Sequence, residues 1–341
     1  MKLSEFDYYL PEELIAQSPS EKRDHSRLLV LHKNTGEIEH KHFYDLPSYL
    51  HKGDVLVRNN SKVIPARLKG IKEETGALVE LLILNFDDKK CECLCGNAKV
   101  IKLGTVIKVS DLLQFKCIEV KEEGIRVFES EYEGLFLEVL SQLGEMPLPP
   151  YIHEKLKDKD RYQTTYAKID GSAACPTAGL HFTPELDKQI LDMGCEIAEV
   201  TLHVGLGTFR PVKVDAIEDH HMHSEYYMMN QETAELLNKA KKENRRIIAI
   251  GTTSTRTLET IMNLYGEFRK CEGETNIFIY PPYQFKAIDC QITNFHLPKS
   301  TLLMMISAFC SKEMILDTYK KAVIEKYRFF SFGDSMFIDN E

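Results

Sequence analysis

RRIIAIGTTSTRTLETIMNLYG, Arg245 to Gly266, is the stretch that decides the fold. Ile247 to Ile250 form a short uninterrupted apolar run after two arginines, the mark of a strand buried on both faces. Such strands belong to sheets covered by helices on either side. Gly251 then opens a Thr/Ser-rich segment that leads into a helix pattern closed by Gly266. Strand, polar turn and helix in that order predict an α/β unit with parallel strands, with ligands held where the chain leaves the carboxyl ends of the strands.

Working outward, the same grammar recurs on both sides. Thr183-Pro184 followed by ELDKQILDMG reads as a capped helix ending at Gly194, and CEIAEVTLHVGLGTF as a strand entering a glycine loop. Asn230-Gln231 begin a helix running to about Glu243, and EMILDTYKKAVIEKYRF predicts a C-terminal helix. Toward the N-terminus, Leu28 to Leu31 and GDVLVRNN predict two strands, and Pro11 to Gln17 a short helix.

Between Arg67 and Pro149 the texture changes. Short alternating runs such as KVIKLGTVIKV, FKCIEV and GIRVFES recur between Gly, Asp and Lys-Glu turns, as in a small antiparallel barrel or sandwich. Met146-Pro-Leu-Pro-Pro150 closes the segment, since prolines cannot continue a central strand. The expected organisation is an α/β main domain, residues 1–67 plus 150–341, with an antiparallel β-barrel inserted at 68–149. The length, 341 residues, suits two domains of ordinary size.

Composition narrows the class. With 43% hydrophobic and 28% charged residues the chain reads as a folded, water-soluble protein. Its longest apolar run, Leu302 to Cys310, is too short to cross a bilayer. The N-terminus carries acids and a proline instead of a secretory pattern, which points to the cytoplasm. Nine scattered cysteines read as reduced thiols, and Cys91, Cys93 and Cys95 fall on one face of a strand. A net charge of −9, with −6 of it between residues 71 and 150, argues against a nucleic-acid grip spread over the whole surface and leaves room for a local basic patch.

Several segments can carry chemistry. GTTSTR, Gly251 to Arg256, offers backbone N–H groups, hydroxyls and a guanidinium to a phosphate or carboxylate. It lacks the Lys-Ser/Thr ending of a triphosphate loop, and an ordinary helix start is the competing reading. GLGTFRP, with Gly205, Gly207, Thr208 and Arg210, has the same placement after His203, but a lone G-x-G is equally a tight turn. His220, His221, His223 and Glu225 form HHMHSE, superficially metal-like but without an identifiable further ligand, so polar hydrogen bonding or substrate contact is read ahead of a metal. His181 and His296 are single histidines beside aromatics, structural or able to transfer protons.

Taken together, GDVLVRNNSKVIPARLKG, YQTTYAKIDGSAACPTAGLHFT, VTLHVGLGTFRPV, HHMHSEYY, GTTSTRTLE, IYPPYQF, TNFHLPKSTLLMMISAF and YRFFSFGDSMFI closely resemble the S-adenosylmethionine:tRNA ribosyltransferase-isomerases of queuosine biosynthesis. The resemblance runs from Met1 to the last residues and keeps the order of the blocks. It departs at Pro282, where the family would have glycine, and at Cys175, where small residues are usual. It implies an α/β domain with an inserted barrel. It also implies transfer and isomerisation of the ribosyl group of S-adenosylmethionine onto 7-aminomethyl-7-deazaguanine at the tRNA wobble position. The products would be epoxyqueuosine-tRNA, adenine and methionine, with S-adenosylmethionine a consumed substrate and no cofactor.

Under that resemblance, His181, His203 and His296 are assigned proton transfers, and Glu199 or Glu259 the offsetting of positive charge. Thr252, Thr253, Ser254 and Arg256 would hold the methionyl carboxylate or a tRNA phosphate. Arg58, Asn59, Asn60, Arg210, Gln284 and Asn294 would orient ribose and bases, with Thr177, Gly205, Gly207 and Thr208 also in the binding set. The partners expected are tRNA and S-adenosylmethionine, with no membrane, and the chain is expected to be a monomer. Two other readings compete: an S-adenosylmethionine-dependent RNA methyltransferase, for which no glycine-rich loop follows Leu31, and a non-catalytic RNA-binding protein, which the acidity of residues 71–150 disfavours.

Overall fold

A computed structural model describes residues 1–340 except 88, 155, 157 and 206–211. In chain order the strands before the barrel are β1 (Arg27–His32), β2 (Ile38–His42), β3 (Val55–Asn59) and β4 (Ser61–Val63). The barrel strands are β5 (Arg67–Lys72), β6 (Leu78–Asp87), β7 (Lys90–Cys95), β8 (Val106–Ser110), β9 (Leu113–Val120) and β10 (Ile125–Tyr132), followed by α1 (Phe136–Leu143). Then come β11 (Ile169–Ser172), α2 (Pro184–Asp192), β12 (Glu196–Leu202), β13 (Glu225–Met229), α3 (Gln231–Lys242), β14 (Ile247–Ile250) and α4 (Gly251–Tyr265). The chain closes with β15 (Cys271–Thr275), β16 (Cys290–Asn294), α5 (Thr301–Phe309), α6 (Lys312–Ile324) and β17 (Ser335–Asp339).

Two compact units result. One comprises Met1–Ser61, Pro150–Ile169 and Cys175–Glu341; the other comprises Lys62–Pro149 and Asp170–Ala174. The first is built on a nine-stranded sheet in the order β15-β13-β12-β3-β14-β16-β17-β1-β2. Its centre, β12-β3-β14-β16, is parallel throughout, while β13, β15, β17 and β2 each meet a neighbour antiparallel. The sheet is therefore mixed around a parallel core, as the apolar run at Ile247 to Ile250 requires: all four residues of β14 are buried.

Side-chain parity sorts the two faces. Leu28, Val30, Leu56, Ile248, Ile250, Ile292 and Phe337 join Leu186 and Ile190 of α2 in one core. Gln291, of opposite parity to Ile292, bonds Thr255 of α4 at 2.5 Å, so α4 covers the other face. Thr183 caps α2 by accepting from Leu186 N at 3.1 Å, with Pro184 in its first turn, and Asn230 caps α3 from Thr233 N at 2.8 Å. Both helix starts agree with the sequence signals.

Two local expectations give way. The helix read over Pro11 to Gln17 is a single 3-10 turn, Glu12–Leu14. Here Phe329 N donates to Leu14 O at 2.8 Å and Ala16 N to Phe329 O at 3.1 Å, and this pairing holds the chain extended. The polar turn read over GTTSTR does not exist as a loop: the helix α4 begins at Gly251 itself. Gly251 sits at φ +83°, where a Cβ would stand 3.3 Å from Ala178 Cβ, so both backbone conformation and space call for glycine there.

The second unit contains a closed six-stranded barrel, β10-β7-β6-β5-β8-β9, with every pairing antiparallel. Cys91, Cys93 and Cys95 alternate buried along β7, with Cys117, Phe115 and Phe128 buried on β9 and β10.

Candidate functional site

Because β3, β12, β14 and β16 run parallel, their carboxyl ends share one edge of the sheet, the position where open α/β sheets hold ligands. Most of the polar blocks of the sequence collect there. Asn59, fully buried at the end of β3, donates to Leu202 O at 2.9 Å and accepts from Leu202 N and Ser61 N at 3.0 Å. Its amide extends the β3–β12 pairing beyond the last backbone bond. It is thus a brace for the edge, and its donors and acceptor are committed.

One residue earlier, the side chains point to the α2 face and form a charged network. Arg58 donates to Glu199 at 2.9 Å and to Asp187 at 2.6 Å, and its guanidinium lies 3.9 Å from the centre of the Tyr166 ring. Glu199 also accepts from Lys168 at 2.7 Å and from Asn60 Nδ2 at 3.3 Å, and Thr201 donates to Asn60 Oδ1 at 2.7 Å. Burial works against ionisation of Glu199, but the bonds from Lys168 and Arg58 outweigh it and hold the carboxyl below the usual range. Glu199 is a carboxylate at neutral pH.

A second network starts on the 3-10 helix Thr177–His181. Thr177 donates to Asn294 Oδ1 at 3.1 Å, which orients the amide so that Asn294 Nδ2 donates to His181 Nε2 at 3.2 Å. The other ring nitrogen, Nδ1, then carries the proton and donates to Ser26 Oγ at 2.7 Å. His181 is stacked on Phe43 with centroids 4.9 Å apart and is buried. Burial, reinforced by the nearby Arg23 charge, pushes its pKa down to about 3. At neutral pH the ring is therefore uncharged, with Nδ1 donating to Ser26 and Nε2 accepting from Asn294.

His296 follows the same rule. It is buried, meets Thr293 Oγ1 at 2.7 Å through Nε2, and its backbone N–H donates to the Tyr319 hydroxyl oxygen at 3.0 Å. Burial lowers its pKa to about 3. His203 differs: it is half-buried just beyond β12 and stacked on Tyr226 with centroids 5.6 Å apart.

The third group lies at the start of α4. Arg256 is 2% exposed and its Nη1 donates to the Glu225 carboxylate of β13, whose other oxygen accepts Gly205 N at 2.8 Å. Arg256 Nε and Nη2 and Thr253 Oγ1 are buried polar atoms without a hydrogen-bond partner among the described residues. Thr252 and Thr253 are nearly buried, whereas Ser254 bonds back to Ile250 O at 2.8 Å and is spent within the helix. Gly207, Thr208 and Arg210 lie outside the described residues.

Glu259 and Gln284 occur together in another place. Glu259, fully buried on α4, accepts from Ala287 N at 2.9 Å, Lys286 N at 3.0 Å and Tyr283 OH at 2.9 Å. Burial raises its pKa. It anchors the turn carrying the exposed Gln284, which donates to Pro282 O at 3.2 Å. Sequence reasoning did not select Asp187, Lys168, Tyr166 or Ser26, which have no local signature. It weighed Glu225, with the HHMHSE histidines, as a metal ligand and, ahead of that, as a polar hydrogen-bonding or substrate contact; among the described residues no group of three or more His, Cys, Asp or Glu is placed to hold a metal.

A profile of queuosine biosynthesis proteins matches residues 3–338. The chain belongs to this family. A crystal structure described as an S-adenosylmethionine tRNA ribosyltransferase from Thermotoga maritima is 38% identical in sequence, spanning 98% of this chain and 100% of that one, with a TM-score of 0.58. In this queuosine biosynthesis protein the family blocks therefore have a spatial meaning. RNN braces and charges the β3 end, TAGLH and NFH share the His181 network, and GTTSTR meets HHMHSE through Arg256 and Glu225.

Proposed function

We propose that the protein transfers and isomerises the ribosyl group of S-adenosylmethionine onto 7-aminomethyl-7-deazaguanine at the tRNA wobble position, releasing adenine and methionine and leaving epoxyqueuosine-tRNA. The observation that carries this reading is the 38% identity, over the whole chain, to an S-adenosylmethionine tRNA ribosyltransferase. S-adenosylmethionine is consumed in the reaction and no cofactor takes part. The enzyme works as a cytoplasmic monomer, with the chemistry in residues 1–67 plus 150–341 and 68–149 inserted. Among the described residues no helix is long and apolar enough to cross a membrane.

The reaction sets three tasks: removing a proton from carbon beside the sulfonium, stabilising adenine as it leaves, and accepting the proton of the attacking amine. His203 is assigned the exchangeable proton, a role supported by its half-exposed place at the sheet edge. His181 and His296 contribute neutral, fixed hydrogen bonds, and Glu199, ionised beside Arg58, offsets the sulfonium charge; Glu259 supports from its turn. Arg256 with Thr252 and Thr253 is the seat of the methionyl carboxylate, supported by the two guanidinium nitrogens and the Thr253 hydroxyl that have no partner among the described residues. Arg58, Asn60, Thr177, Asn294 and Gln284 orient ribose and base, with Asn59 bracing the edge.

The test uses precursor tRNA and S-adenosylmethionine labelled separately in ribose and methyl. Ribose label in tRNA with stoichiometric adenine is expected. Methyl label in tRNA without adenine would make the protein a methyltransferase, and tight tRNA binding without any label would make it a binding protein.

A further inference from the structure

Two sets of arginines in the α/β unit are held in contrasting ways. Arg58, Arg245, Arg246 and Arg256 each meet a carboxylate, of Glu199, Glu196, Asp54 and Glu225 respectively. Beside His181 the pattern reverses. Arg23 donates to Leu180 O at 3.2 Å and Asp160 O at 2.9 Å, and Arg161 donates to Glu21 O at 3.0 Å and Ser20 O at 2.6 Å. Arg328 donates to Ser18 O. All these acceptors are backbone carbonyls, which fix each guanidinium in place, and among the described residues none of the three guanidinium groups forms a direct ion pair with a carboxylate.

The clustering is electrostatically unfavourable as it stands. Burial, and next the charge of Arg161, hold Arg23 below its ordinary pKa, ahead of the weaker pull from Asp158 and Asp160. Arg23 and Arg328 both disfavour a proton on His181. Arg161 Nε is buried without a hydrogen-bond partner among the described residues. Arg23, Arg161, Leu180, His181, Ser331 and Gly333 line one cleft. Arg23 and Arg161 line the cleft and Arg328 is held beside it on Ser18, next to the lining residue Pro19; with only the weaker pull of Asp158 and Asp160 against them, these cations are completed by an anion from outside.

We infer that this cleft is the seat of a backbone phosphate of the RNA substrate, an inference that rests on the proposed function. Guanidinium groups suit phosphate oxygens because their donors form a planar fork. The position also links binding to chemistry. Arg23 holds Leu180 O, the residue before His181, and Arg23 O accepts from Ser26, the hydroxyl that meets His181 Nδ1. A phosphate docked on Arg23 thus bears on both neighbours of the His181 ring.

The experiment measures affinity for precursor tRNA across a salt series in Arg161→Gln, Arg328→Gln and the double variant, with S-adenosylmethionine affinity measured separately without RNA. Each single change is expected to lower the slope of log affinity against log salt by about 0.7–0.9, and the double change by about twice that. S-adenosylmethionine affinity stays unchanged. Because both arginines brace the Ser18–Glu21 segment, Arg161→Lys and Arg328→Lys provide the check on folding: they retain the charge and are expected to restore the slope. An unchanged slope in folded variants overturns the inference. So does a loss of S-adenosylmethionine affinity at constant slope, which would give the cleft to that substrate's carboxylate. A wild-type protein that binds tRNA with a steep slope and transfers no ribose overturns the proposed function instead.

Discussion

The Glu225 carboxylate joins Arg256 of α4 to the backbone N–H of Gly205, so one buried acid ties β13, the helix start and the glycine loop together. Glu225 is 6% and Arg256 2% exposed. Removing one partner of such a pair strands the other charge in a low-dielectric interior. Glu225→Ala is therefore expected to cost about 3–5 kcal/mol of stability. Urea unfolding of the variant measures it, and a loss below 1 kcal/mol would mean that Arg256 finds another partner.

The two buried histidines make stability depend on acid. Both have pKa values near 3 in the fold against an ordinary 6.5, so the unfolded chain binds more protons between these values. Their contribution is complete above pH 6.5 and is lost as pH falls through that window. Each histidine adds a slope of up to about 1.4 kcal/mol per pH unit. His296→Gln, which keeps a polar partner for Thr293, is expected to flatten the fall in urea midpoint between pH 6.5 and 5. A slope identical to wild type would show that His296 takes up its proton in the native state.

The sequence exposes those parts of the fold where local and global preferences agree. Thr183-Pro184 and Asn230 announce α2 and α3 because capping is a matter of a few adjacent residues. The edge strands β2 and β15 stay hidden, since their half-exposed, polar residues carry no apolar period. GTTSTR reads as a loop because Thr and Ser are poor helix formers, yet it is the first part of a helix. There the hydroxyls of Ser254 and Thr257 return bonds to the carbonyls of Ile250 and Thr253, one turn back, and Thr255 reaches Gln291 of β16, so the buried helix satisfies these hydroxyls without a loop. In the site, block membership points to His181 and Asn294 but not to the hydrogen bond between them. Ser26 and Asp187 escape notice because their partners lie 155 and 129 residues away.

Thiol chemistry tests the packing of both units. Seven of the nine free cysteines are buried, and burial pushes Cys91 up to about 11 and Cys95 to about 12. Only Cys271 and Cys310 are partly accessible, and burial moves Cys310 to about 12 as well. Since the thiolate is the reactive form, Ellman's reagent at pH 8 is expected to find no more than two slow thiols in the native protein and nine in guanidinium. Rapid reaction of three or more would contradict the closed barrel interior.

Asn294 decides the tautomer of His181, and that can be reversed by one atom. Asn294→Asp replaces the amide donor with an oxygen, so two acceptors face each other unless His181 takes a proton on Nε2. The Asp carboxylate still receives the Thr177 hydroxyl, so the local fold has a partner to keep. The imidazole is then expected to titrate well above 3, readable by NMR of the ring carbons, while Asn294→Ala leaves its pKa low. Turnover is expected to fall roughly 10- to 100-fold in both variants, the worth of one misplaced buried hydrogen bond. Full activity in Asn294→Asp with His181 already cationic at pH 7 would show that the neutral ring has no part in the reaction.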